Sequence, residues 1–300
     1  MRNNRAAVTS RASAESTVEP ARAACYMYFK LNLWLCAMSA LLVTITAYAV
    51  GVPMASVGVG VVLPALLFYV IYVEDRRSVS PEDWSNQPQR TAVVTEHSSG
   101  LLVTEVLALV AYEAVLLYCV FAPPARSVWF LLLGQLPFVI LALYDRIKQF
   151  PSGDSVAVGA TWAYVGVFAV VVSTEVTVSL PVVVSFLGWF LIVFGGVESR
   201  NIDDIAGDTE ARKTTLAGLL GPRLARLLET ALKLLGVFLF WTLAGALAAG
   251  LVAGYLLGLR VCRLLTRRAD ALLSRPRRTP AVEQSERAHE EPLERHPTDD

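Results

Sequence analysis

Repeated apolar runs long enough to cross a bilayer constrain this chain more than any other feature. About 20 consecutive apolar residues span the hydrocarbon core as a helix. Six such runs are clear, near 31–50, 54–73, 101–121, 127–144, 155–173 and 178–197, and a seventh apolar stretch fills 234–259 between Lys233 and Arg260. Backbone in lipid must satisfy its own hydrogen bonds, so these runs are expected to be helices, and no barrel-like alternation competes. Of the 300 residues, 55% are hydrophobic and 17% charged, where soluble domains carry about 25% charged residues. An ordinary soluble enzyme, a disulfide-rich secreted module and a wholly disordered chain are excluded. The formal net charge of zero conceals segregation into short charged stretches between apolar ones, as in a polytopic membrane protein.

The loops give an orientation. Arg2, Arg5, Arg11 and Arg22 precede the first run. Arg76, Arg77 and Arg90 follow the second, Arg146 and Lys148 the fourth, and Arg200, Arg212, Lys213 and Arg223 the sixth. The intervening loops hold only Arg126. Basic residues stay inside, so the N-terminus and the loops 74–98, 145–153 and 198–223 are expected in the cytoplasm of a multi-pass cell-membrane protein. A single seventh span would export Arg260, Arg263, Arg267, Arg268, Arg275, Arg277 and Arg278. Two short helices turning near Trp241–Gly245 would keep them inside. The fold class is therefore an all-α bundle of seven to eight transmembrane helices, with eight favoured.

The expected organisation is a disordered cytoplasmic tail at 1–24, a transmembrane domain at 25–262, an amphipathic surface helix at 263–275 and a disordered tail at 276–300. In the third of these, leucines recur at helical spacing among arginines, which suits an anionic membrane surface. No apolar stretch follows Met1 directly, so a signal peptide is not expected. Cys25, Cys36, Cys119 and Cys262 form no CxxC pair, and His97, His289 and His296 lack metal-ligand spacing.

The polar loops carry the chemistry. Residues 72–90 read YVEDRRSVSPEDWSNQPQR, and 198–221 read ESRNIDDIAGDTEARKTTLAGLLG. Any cytoplasmic loop carries mixed charge, but here two acidic loops face the same side, each after an even-numbered span. Asp204 and Asp208 share a helix face, with Asn201 one turn earlier. Asp75, Glu82 and Asp83 supply acids to the first loop. Such hard oxygen ligands suit Mg²⁺. Interleaved cations, among them Arg76, Arg77, Arg90 and Lys213, would hold a diphosphate and stabilise its departure.

In order and spacing these residues resemble the UbiA family of intramembrane prenyltransferases, as a divergent, archaeal-like member. The second loop is similar to the family's second aspartate-rich motif, with Asn201, Asp204, Gly207 and Asp208 followed by Thr215-Leu216 and Leu220-Gly221. The first loop resembles the family's first motif through Asp83, Asn86, Pro88 and Arg90. Tyr144, Lys148 and Trp162 resemble its Tyr, Lys/Arg and Trp stretch. The first motif is degraded: Val79 stands where the middle aspartate is expected, and Asp75 takes the usual Asn position.

The resemblance implies transfer of a polyprenyl group from its diphosphate to a lipophilic acceptor. Asp75, Asp83, Asp204 and Asp208 would hold Mg²⁺, with Asn201 in the catalytic set. Arg90, Arg146, Lys148 and Lys213 would bind diphosphate. Tyr72, Tyr144 and Trp162 would shield an allylic cation. Glu105 and Glu113 lie within the third span, where charge is expensive and usually functional or paired. Glu113, the deeper, is the candidate for the substrate cavity, against a plain interhelical hydrogen bond. Membrane lipid is an expected partner; nucleic acid is not, and no protein partner is evident. A catalytically degenerate membrane scaffold and a small transporter remain the alternatives.

Overall fold

The computed structural model describes residues 28, 31, 33–79, 84, 88–122, 126–210 and 215–273, of which 88–89, 204, 206–210 and 269–273 are described by backbone alone. Every regular element among these is helical. The chain runs through α1 (Trp34–Ala49), two short helical turns at Met54–Val57 and Gly58–Val61, and α2 (Val62–Arg77). Then come α3 (Pro88–Glu96), α4 (Ser98–Phe121), α5 (Trp129–Gly134) and α6 (Leu136–Ile147). The series closes with α7 (Gly153–Ser173), α8 (Leu180–Glu210) and α9 (Leu216–Leu273).

Six helical stretches among the described residues are long and apolar enough to cross a membrane, and α1 is a shorter apolar helix beside them. The protein is a multi-pass membrane protein. The fourth apolar run divides at Gln135, because Pro137 cannot donate in the ladder and therefore begins a new helix, α6, within its first turn.

The last helix is not one rod. Ala244 leaves helical geometry at φ −139°, and Gly245 sits at φ 74°, ψ −165°, a region that only glycine occupies freely. Before this break, a Cβ on Gly188 would meet Phe240 and one on Gly195 would meet Glu229, so residues 222–243 run antiparallel to α8. After it, Trp189 meets Tyr255 with ring centroids 5.0 Å apart, and Arg263 donates to the Gly196 carbonyl at 3.2 Å. Residues 246–273 therefore run parallel to α8. The chain reverses at 244–245, within the stretch anticipated from the arginine distribution, and the described chain holds eight apolar segments rather than seven.

Tight packing supplies much of the association energy between helices in lipid, where both surroundings are apolar. α7 is the central helix, with 67% of its apolar window buried against 11% for α4. Leu42, Phe68, Trp162, Phe168, Trp189, Phe240 and Tyr255 belong to one buried cluster. Trp189 is fully buried, and its indole N–H donates to the Thr46 hydroxyl at 2.8 Å, which satisfies the single polar atom of a large apolar side chain.

The connection from α6 to α7 is tight. Ser152 holds a left-handed conformation at φ 63°. Gly153 follows because a Cβ there would collide with the Ile147 carbonyl oxygen. This turn fixes where α7 starts relative to the end of α6.

Candidate functional site

The polar residues gather at one end of the bundle. Four helices contribute: α2 through Tyr72, Asp75 and Arg76, α6 through Tyr144, α7 through Asp154, Ser155 and Trp162, and α8 through Glu198, Arg200 and Asn201. The Tyr144 hydroxyl lies within electrostatic range of Asp75, Arg76, Asp154 and Arg200 at once, which places the ends of α2 and α8 around it. Tyr72 lies near Arg76, Arg200 and Trp162. Trp162 in turn stacks on Phe68, with centroids 4.1 Å apart, at the floor of this region.

Arg76 pairs with Asp75 at 3.3 Å, and its side chain is 11% exposed. Its Nε is buried without a hydrogen-bond partner among the described residues. A largely buried guanidinium with a spare donor is suited to an anion. Lys148 pairs with Asp145 at 2.6 Å and lies 5.9 Å over the Tyr144 ring. Arg146 is exposed one residue further along, and Arg90 is buried on α3.

A polar shelf lies between α7 and α8. Asp154 accepts the Ser155 N–H at 2.8 Å through Oδ1 and the Asn201 amide at 3.2 Å through Oδ2. The Ser155 hydroxyl donates to Glu198 Oε1 at 2.5 Å. All four side chains are between 0 and 6% exposed.

The sequence-derived candidates divide into those brought together and those elsewhere. Asp75, Tyr72, Tyr144, Trp162 and Asn201 converge at the polar end. Asp204 and Asp208 lie on the same helix as Asn201, their side chains outside the described residues. Asp83 and Lys213 also lie outside them. Glu113 sits apart from this end: it accepts a hydrogen bond from Gln135 at 3.3 Å, at the joint between α5 and α6. Sequence reasoning passed over Asp154, Ser155 and Glu198. Their partners are 43 to 47 residues away, so no local spacing marks them.

Among the described residues no three Asp, Glu, His or Cys side chains are close enough to hold a metal ion. Asp75 on α2 and Asn201 on α8, whose amide nitrogen donates to Asp154, nevertheless lie at the same end of the bundle, since Asp75 and Asp154 are both within electrostatic range of Tyr144. The acids at 83, 204 and 208 follow on the same two segments. That donor chemistry fits a hard divalent cation such as Mg²⁺.

Two solved structures resemble the chain. One comes from work on digeranylgeranylglyceryl phosphate synthase in membranes, with 15% identity, a TM-score of 0.49, and coverage of 84% of this chain and 94% of that one. The other is a UbiA homolog from Archaeoglobus fulgidus bound to GPP and Mg²⁺, with 16% identity, a TM-score of 0.47, and coverage of 78% and 86% respectively. No family model matches the sequence, and no curated protein does.

Proposed function

We propose that the protein is an intramembrane prenyltransferase that moves a polyprenyl group from its diphosphate to a lipophilic acceptor. The observation that carries this reading is that Asp75 and the Arg76 paired with it, Asp154 and Arg200 all lie within electrostatic range of Tyr144. It brings the segments bearing the two acidic motifs to one end of an apolar bundle. Hard oxygen donors and buried cations then lie where a diphosphate head would sit while its tail stays among apolar helices. The arginine distribution supports a cytoplasmic position for this end.

Asp75, Asp83, Asp204 and Asp208 would hold Mg²⁺, which when bound screens the diphosphate and makes it a better leaving group. Arg76, Arg90, Arg146, Lys148 and Lys213 neutralise the departing diphosphate, an electrostatic contribution that grows as negative charge develops on it. Tyr72, Tyr144 and Trp162 offer ring faces to an allylic cation and keep water from capturing it. The carbon–oxygen bond breaks first, its electron pair leaving with the diphosphate; the acceptor then captures the allylic carbon and passes its proton to the released diphosphate or to water.

The test is release of diphosphate from geranylgeranyl diphosphate by membranes containing the protein, with and without Mg²⁺. Asp204→Ala and Asp208→Ala are each expected to abolish release while membrane insertion is unchanged. Retained activity in both variants would remove the assignment. Val79 favours a second reading, a degenerate membrane scaffold, and that reading expects no release from the parent protein.

A further inference from the structure

We infer that Asp154 and Ser155 are positioning residues that set the end of α8, carrying Asn201 and Asp204, in register against the end of α6, carrying Tyr144 and Lys148. Its effect on catalysis rests on the prenyl-transfer reading. The contact itself is a property of the fold.

The tight turn at 147–153 makes the link short. Left-handed Ser152 and the close approach of Gly153 to the Ile147 carbonyl leave little freedom between Lys148 and Asp154. Asp154 is pinned in turn by the N–H of its neighbour Ser155 at 2.8 Å. Its second carboxylate oxygen takes the Asn201 amide at 3.2 Å. The Asn201 nitrogen is also 3.4 Å from the Ser155 hydroxyl. Both hydrogen-bonding directions of that nitrogen thus point into the shelf.

Ser155 can donate only one hydrogen. Glu198 at 2.5 Å is closer than Asp154 at 3.4 Å, so α8 is gripped one turn before Asn201 as well. Asp154 and Glu198 form no ion pair with any described residue, so neither serves to neutralise a lysine or arginine there. Asn201 and Asp204 are three residues apart on one helix and share a face. A shift at Asn201 is therefore passed directly to the acid that the functional reading requires. Residues that orient metal-binding groups in this way typically change metal affinity by about 10- to 100-fold when altered.

The experiment uses the full chain in membranes or nanodiscs and compares Asp154→Asn, Asn201→Asp and the double exchange D154N/N201D. An asparagine at 154 has one acceptor oxygen where two are used, so the Asn201 contact or the Ser155 contact is lost. In the double variant the amide at 154 donates to the carboxylate at 201, and the charge count is unchanged. Amide hydrogen exchange across 198–205 is expected to quicken in Asp154→Asn and to return toward the parent rate in the double variant. The Mg²⁺ concentration for half-maximal diphosphate release should rise by about tenfold or more in Asp154→Asn; the double variant is read by hydrogen exchange alone, because it alters residue 201 itself.

Unchanged exchange in Asp154→Asn overturns the inference, and so does a double variant that exchanges as fast as the single. If Asp154→Asn does not accumulate, Ser155→Ala takes its place with the same exchange readout, and unchanged exchange there overturns the inference equally. If exchange follows the expected pattern but the parent releases no diphosphate, the prenyl-transfer reading fails and the positioning contact stands.

Discussion

Arg77 and Glu105 form a 2.6 Å ion pair between α2 and α4, and the same guanidinium nitrogen reaches Glu74 at 2.8 Å. This pair accounts for an acid inside the third apolar run: the charge is met by a cation from the base of the first acidic loop. Both partners of the longer-range pair are mostly buried, with side-chain exposures of 19% and 12%. Removing the cation leaves Glu105 without its partner, so Arg77→Ala should lower stability by about 3 kcal/mol, while Glu105→Ala, which leaves Arg77 paired with Glu74, and a double replacement of Arg77 and Glu105 by Met should each cost less. Thermal unfolding in detergent measures all three. Glu113→Gln should leave the unfolding temperature nearly unchanged, because the described partner of Glu113 is the neutral Gln135.

Gly245 offers a second test. Its φ of 74° and ψ of −165° belong to a region closed to side chains, so Gly245→Ala should destabilise by about 1–3 kcal/mol. Gly250→Ala, five residues on in regular helix with open space at the Cβ, should be neutral or mildly stabilising. The difference between the two unfolding temperatures in one detergent is the measurement. Equal values would mean that the reversal at 244–245 is not a fixed feature of the fold.

Single cysteines test the orientation. Replacements at Ser98, Ser152, Thr209 and Ser285 in an otherwise cysteine-free chain should resist a membrane-impermeant thiol reagent in intact cells and react after permeabilisation. Ser285 is the informative position, since only a reversal of the last helix keeps it on the same side as Ser98. Labelling of Ser285 alone in intact cells would mean seven crossings.

Val79 is a specific case. In the family resemblance read from Asn86, Pro88 and Arg90, it would stand at the place of a metal-binding aspartate. In the fold it lines a cleft of about 300 Å³ with Arg77, Trp84, Val94, Thr95 and Ser98, on the α4 side of α2. Asp75 and Arg76, by contrast, lie within electrostatic range of Tyr144. Val79→Asp should therefore pair with Arg77 and leave the Mg²⁺ dependence of diphosphate release flat. A lower Mg²⁺ requirement would restore the motif alignment and move Val79 into the acidic centre.

The apolar runs were legible because each spans a bilayer with almost no charge. The reversal at Gly245 was legible only indirectly. No polar or proline-rich turn marks it, and it was the cost of exporting the arginines that pointed there. Asp75 and Asn201 could be found because motif order carries them. Asp154, Ser155 and Glu198 could not, since their meaning is a mutual contact between helices far apart in sequence, and each alone reads as an ordinary polar residue at a helix end. The break at Gln135 was missed because Leu131–Leu133 and Val139–Leu143 are equally apolar on both sides of it.

The hairpin at 244–245 also bears on how the protein is made. Had the last apolar stretch been a single crossing, every arginine from Arg260 to Arg278 would have been carried through the bilayer behind it, and each arginine held at the centre of a membrane helix costs about 2.5–3.5 kcal/mol on insertion scales. A paired hairpin needs only the uncharged tip around Leu243–Ala246 to pass the hydrocarbon. With that hairpin, the positive-inside rule expects the basic segment to stay on the side on which it was synthesised. Met38 on α1 touches the second arm at Gly258, so the returning arm of the hairpin also packs against α1. A chain truncated before residue 246 would leave that surface of α1 uncovered in the lipid.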